Sequence, residues 1–188
     1  MKKPFKQLAG VGAVWLATSA FIAHAEEVDE TPDLSACVAQ VLDFVEGPVS
    51  YTGVNAQVNG GYNTFRTTSD HVRLEDGSWE YSSFGGDMEE RSTSYVRQDG
   101  NKILTREAGG DGEEAVRTFT ECEGPDEVGR ITTQSSYELP PVPSDPQTLY
   151  VDIVGLYGEQ GAFFTEVLKN EAGEIVARRS GVTLPIEE

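Results

Sequence analysis

The chain has 188 residues, with 14 Lys and Arg against 32 Asp and Glu, and a formal net charge of −18. So acidic a surface repels phosphate backbones and anionic headgroups, which argues against nucleic acid or an anionic membrane surface as a partner. The length suits one domain with a real core and is short for two.

The first 25 residues read as a cleavable secretory signal. Lys2, Lys3 and Lys6 form a positive start, an apolar run follows from Leu8 to Ala23, and Ala23-His24-Ala25 supplies the small-x-small site for cleavage after Ala25. The run is shorter than the roughly 20 residues that span a bilayer. A periplasmic or secreted protein is therefore expected. Leu34-Ser35-Ala36-Cys37 has the form of a lipidation motif, but the polar stretch from Glu26 to Asp33 separates it from the apolar run, which argues against anchoring through Cys37. Loss of the signal removes three lysines and no acid, so the remaining 163 residues carry a net charge of −21.

Residues 26–32 are expected to be an acidic leader, and 33–188 a single β domain that begins with a helix over 33–46. Thr31 is suited to cap that helix, Pro32 to open it, and Asp33 to face the positive end of its dipole. Leu34, Cys37, Val38, Val41, Leu42 and Val45 recur at helical spacing, and Gly47-Pro48 ends the run. Cys37 and Cys122 are the two cysteines; in an oxidising compartment they are expected to pair and pin the helix to what it covers.

After Gly47 the period changes from 3.6 to 2. Asp76-Gly77 predicts a two-residue hairpin that pairs Leu74 with Trp79 and Val72 with Tyr81 on one apolar face, leaving His71 on the polar face. Asp99-Gly100 predicts a second hairpin, pairing Val96 with Ile103 and Tyr95 with Leu104. Asn170-Glu171-Ala172-Gly173 predicts a third, with Gly173 in the left-handed position. Further strands are expected at Val49–Val58, Tyr62–Thr68, Ala115–Glu121, Arg130–Glu138, Leu149–Tyr157, Phe163–Lys169 and Ile175–Thr183, with Leu139–Pro146 as an extended crossing. Strands at roughly ten-residue spacing make a mainly β protein: an antiparallel up-and-down meander, closed into a barrel or strongly curved, with one N-terminal helix packed on it.

Catalytic motifs are missing from the sequence. His71 is the one histidine after the signal; no G-x-S-x-G elbow or P-loop spacing occurs, and with one histidine and two cysteines expected to be bonded no histidine-rich or thiolate zinc site is expected. No cofactor and no metal is expected. The acidic stretches Asp87–Glu90 and Gly109–Glu114 could offer oxygen ligands to calcium, but they fit neither the EF-hand loop nor a glycine-aspartate nonapeptide array and read as solvated acidic loops. Asp152, in the apolar run Leu149–Val154, reads as outward-facing on a strand with one wet face. The remaining signal is aromatic and apolar: Trp79, Tyr81, Val72, Leu74, Tyr157 and Phe163 are the candidate ligand-binding residues. The expectation is a non-enzymatic carrier for a small apolar or amphipathic ligand. The alternatives are an envelope interaction module with a solid core, and a carboxylate-based hydrolase or isomerase.

Overall fold

The computed structural model describes residues 32–85, 91–109, 114–141 and 147–186. The signal, most of the leader, the capping Thr31, the acidic stretches 87–90 and 110–113 and much of the proline-rich crossing lie outside them.

One helix, α1 (Ser35–Asp43), precedes ten strands: β1 (Gly47–Gln57), β2 (Tyr62–Arg73), β3 (Trp79–Gly85), β4 (Ser92–Asp99), β5 (Lys102–Glu107), β6 (Ala115–Glu123), β7 (Ile131–Leu139), β8 (Leu149–Gly158), β9 (Gly161–Lys169) and β10 (Ile175–Pro185). Each strand pairs antiparallel with its neighbour in sequence, and β1 pairs with β10, so the expected meander closes into a barrel with no free edge. Burial alternates along the strands; β8 reads inward at Val151, Ile153, Gly155 and Tyr157 and outward at Tyr150, Asp152, Val154 and Leu156. Asp152 faces out, as expected, and pairs with Lys169 on β9.

Hairpin geometry corrects two of the three expected registers. At Asp76-Gly77 the loop has three residues. Gly77 takes φ +83°, its N–H donates to the Leu74 carbonyl, and the Leu74 N–H donates to Ser78 O. The Asp76 carboxylate accepts from the Ser78 N–H at 2.9 Å and favours this longer turn. Arg73 therefore lies opposite Trp79 and His71 opposite Tyr81. A slip of one residue turns a strand over. His71 moves inside, and Val72 moves outside, where it is 47% exposed. At the second hairpin the turn is Gly100-Asn101, closed by Asp99 opposite Lys102, so Gln98 rather than Val96 faces Ile103. That slip is two residues, and sidedness survives it. The third hairpin forms as expected, with Gly173 at φ +78°.

The helix begins at Ser35 with Leu34 at its cap, later than Pro32 and Asp33 suggest, and ends at Asp43 rather than residue 46. Its start is held by a tertiary clamp from the β4–β5 turn. Asn101 Nδ2 donates to Pro32 O at 2.7 Å, Asn101 Oδ1 accepts from the Leu34 N–H at 2.7 Å, and Gln98 Nε2 donates to Ser35 O at 2.6 Å. Cys37 and Cys122 form the expected disulfide. A bulge between Phe119 and Glu121 makes that bond reachable, because it lets Phe119 and Cys122, three residues apart, both face inward. The buried face of α1 (Val38, Val41 and Leu42) packs on Trp79, Val96, Ile103, Phe119 and Ile131 and stoppers one end of the barrel. A second apolar cluster, Val151, Ile153, Phe164, Leu168 and Ala177 with Tyr51 and Phe65 against it, occupies the other half.

Candidate functional site

Between the two clusters the barrel is hollow. The lumen has a volume of about 530 Å³, inside the range of roughly 300–1,000 Å³ usual for small-molecule sites. It exists because inward positions on one side of the barrel are small: Thr67 and Ser69 on β2, Ser83 on β3 and Thr105 on β5. The facing wall is apolar, from Ile153 on β8 and Ala162 and Phe164 on β9, with Val41, Leu42 and Val45 of the helix segment above. One side therefore offers hydroxyls and the other hydrocarbon.

Four inward polar groups mark the lumen. His71 is 9% exposed and its ring stacks on Tyr81, with centroids 3.7 Å apart. Its Nδ1 lies 2.7 Å from Val45 O. A carbonyl only accepts, so Nδ1 carries the proton and the neutral ring leaves Nε2 as an acceptor. Burial pushes the ring's pKa below its ordinary value, against the bond to Val45. Burial likewise raises the Tyr81 phenol above its ordinary range.

Arg117 on β6 donates from Nε to Ser135 Oγ at 2.8 Å and from Nη2 to the Tyr157 hydroxyl at 3.1 Å. Its guanidinium also sits over the Phe119 ring, 4.7 Å from the centroid. Glu166 on β9 is 8% exposed, and its carboxyl is held above the ordinary carboxylate range by burial, with Arg179 and Arg117 pulling the other way. Its partner is Arg179 on β10, at 3.6 Å. Glu166 lines the lumen; Arg179 lines a separate hollow of about 540 Å³ at the end away from the helix, beside Asn55, Leu149 and Leu168. The ion pair thus stands between the two spaces.

A layer of rings adjoins it. Tyr51 stacks on Phe164 at 4.9 Å and leans on Phe65 at 5.2 Å. Gly53 and Gly181 make room for them: a Cβ on Gly53 would lie 2.5 Å from Phe65 Cζ, and one on Gly181 would lie 2.5 Å from Phe164 Cζ.

The candidates from sequence divide three ways. Tyr81 and Tyr157 line the lumen. Trp79 faces inward on the same side as Tyr81 but is 1% exposed, sealed under the helix in the packed cluster. Val72, Leu74 and Phe163 lie off the lumen. Val72 is turned out by the register slip, Leu74 closes the β2–β3 turn, and Phe163 projects outward at 47% exposure. Phe164, its neighbour, takes the inward place. The sequence held a signal for that: a tight Glu159-Gln160 turn sets Tyr157 opposite Ala162 and Leu156 opposite Phe163, so Tyr157 and Phe163 cannot share a face. His71, Arg117 and Glu166 were missed because lone polar residues in alternating strands read as solvent-facing.

Among the described residues no group of three or more His, Cys, Asp or Glu is placed to hold a metal ion, and no helix is long and apolar enough to cross a membrane.

No family model matches the chain, and no curated protein does. Its likeness is to solved folds. The crystal structure of Rv2717c from Mycobacterium tuberculosis is 12% identical, with a TM-score of 0.55 over 82% of this chain and 100% of that one. A protein of unknown function from the DUF3598 family of Nostoc punctiforme is 13% identical, with a TM-score of 0.49 over 77% of this chain; the match spans 49% of that longer protein. The first similarity supports the fold alone. The chain is thus a closed β-barrel with a hollow interior and a disulfide-held helical stopper.

Proposed function

We propose that the protein is an exported carrier, without enzymatic activity, for a small apolar or amphipathic molecule held in the barrel lumen. One observation carries this reading: small inward residues keep about 530 Å³ open between two packed clusters, a volume within the range usual for small-molecule sites. Hydrocarbon on one wall and hydroxyls on the other suit a ligand with one polar end. The disulfide accords with an oxidising compartment outside the cytoplasm.

The test is binding of the apolar fluorophore N-phenyl-1-naphthylamine to the oxidised, mature-length protein. One molecule per chain is expected to bind, and Ser83→Phe, which projects a ring into the lumen, is expected to abolish it. Absence of stoichiometric binding by the wild-type protein overturns the reading.

A second reading, an envelope interaction module, draws on the outer wall. Leu156 lies opposite Phe163, which lies opposite Val182, and exposed Val154 lies on the same outer face of β8. This apolar patch suits contact with another protein. Retention of Ser83→Phe function in the native envelope, alongside its loss in Phe163→Asp, would favour it.

A further inference from the structure

We infer that the lumen ligand carries a single carboxylate, and that Arg117 is the residue that holds it. The inference rests on the carrier reading and adds the chemical class of the cargo.

Arg117 is half-buried in the lumen wall, and its direct partners among the described residues are neutral: Ser135 Oγ, the Tyr157 hydroxyl and the face of Phe119. Among the described residues no carboxylate lies within 4.0 Å of it. A guanidinium cannot shed its proton to escape this setting. Among the described residues two of its five N–H donors are used, and a cation among neutral groups is stabilised by an anion that completes its hydrogen bonds.

The neighbouring groups point to an acceptor-rich guest. The Tyr157 oxygen already accepts from Arg117, which leaves its O–H to donate. Tyr81 lines the same cavity, and Arg117 and Tyr157 both act on its phenol. A carboxylate placed here meets a guanidinium edge and phenolic O–H donors together. The other charged group facing the lumen, Glu166, acts on Arg117 only from beyond 4.0 Å and makes no direct contact with it. Glu166 is engaged with Arg179 on the neighbouring strand, and His71 is neutral and bonded to Val45 O.

Stoichiometry of charge selects the class. The lumen offers one cation with no carboxylate in direct contact among the described residues, which matches a monoanion; a doubly charged phosphate head would be buried with half its charge unmet. The apolar part of the wall (Val45, Val49, Ile153 and Phe164) calls for an apolar tail. The cargo is thus an aliphatic or aryl-alkyl monocarboxylate, carried within a protein whose own formal charge is −18.

Calorimetric titration of the oxidised protein with dodecanoate, dodecanol and dodecyltrimethylammonium tests this. Dodecanoate is expected to bind at least tenfold more tightly than dodecanol, with the ammonium compound weaker than both. Arg117→Gln is expected to bring dodecanoate down to the level of dodecanol, and Arg117→Lys to restore part of the preference. Equal affinity of the wild-type protein for acid and alcohol overturns the inference and leaves the carrier reading intact. Failure of all three, and of the apolar fluorophore as well, removes the lumen as a binding site. The wild-type comparison stands by itself if Arg117→Gln does not fold.

Discussion

At the helix end, the barrel interior is closed by side chains from outside the sheet. At the other end it is closed by its own strands. At the helix end Val38, Val41 and Leu42 of α1 press on Trp79, Phe119 and Ile131, and a disulfide and the Asn101 clamp hold them in place. Beyond the lumen, Tyr51, Phe65 and Phe164 stack across positions where Gly53 and Gly181 bring no side chain. An added element can be bolted on covalently, whereas a ring layer depends on the backbone staying bare. The two ends should therefore respond to different perturbations.

The largest effect is expected at the stopper. Replacing both cysteines with serine in Cys37→Ser/Cys122→Ser opens a link across 85 residues of sequence, which the chain-entropy model values at about 4.5 kcal/mol. Urea unfolding should show that loss, and a change below about 1 kcal/mol would mean that packing alone seats the helix. A smaller cost is expected in the ring layer. On Gly181→Ala the new methyl meets Phe164 Cζ at 2.5 Å and Thr52 O at 2.6 Å, and overpacking of this kind costs about 1–3 kcal/mol. A thermal melt matching the wild type would show the rings free to yield.

The smallest effect, and the one that separates the ends by pH, concerns Glu166. Its carboxyl is held above the ordinary range by burial, so the folded state keeps its proton where the unfolded state has lost it. Stability from this group is present at low pH and falls as pH rises from the unfolded carboxylate range through the raised folded value. Glu166→Gln should flatten that fall, with Tm closest to wild type in acid and relatively higher near neutrality. An unchanged slope would assign the pH dependence elsewhere. His71 has the opposite sign: its lowered pKa makes stability decline as pH drops below the ordinary histidine range.

The meander, the helix, the disulfide and the inward pairing of Trp79 with Tyr81 were legible from period and turn residues. What escaped was parity. Asp76-Gly77 serves equally in a two-residue turn and in a three-residue turn with a left-handed glycine, and only the second puts His71 against Tyr81. The misjudged Gly100-Asn101 turn did no harm, because a shift of two residues preserves the face. Arg117 and Glu166 were hidden for another reason. Alternation shows which residues share a face, but a buried ion pair and a hydrogen-bonded guanidinium resemble solvated charges until their partners on other strands are known. The strand glycines Gly53 and Gly181 were visible, and close backbone approach was the physical reading available for them.

Pairing of β1 with β10 joins Val49 to Pro185 and Gln57 to Ala177. Every other seam of the hoop is stitched between sequence neighbours, while this one brings together the first and last strands. A chain stopped short of Ile175 has a wall and no interior. It can hold nothing, and it presents two raw flanks, β1 and β9, to whatever strand comes by.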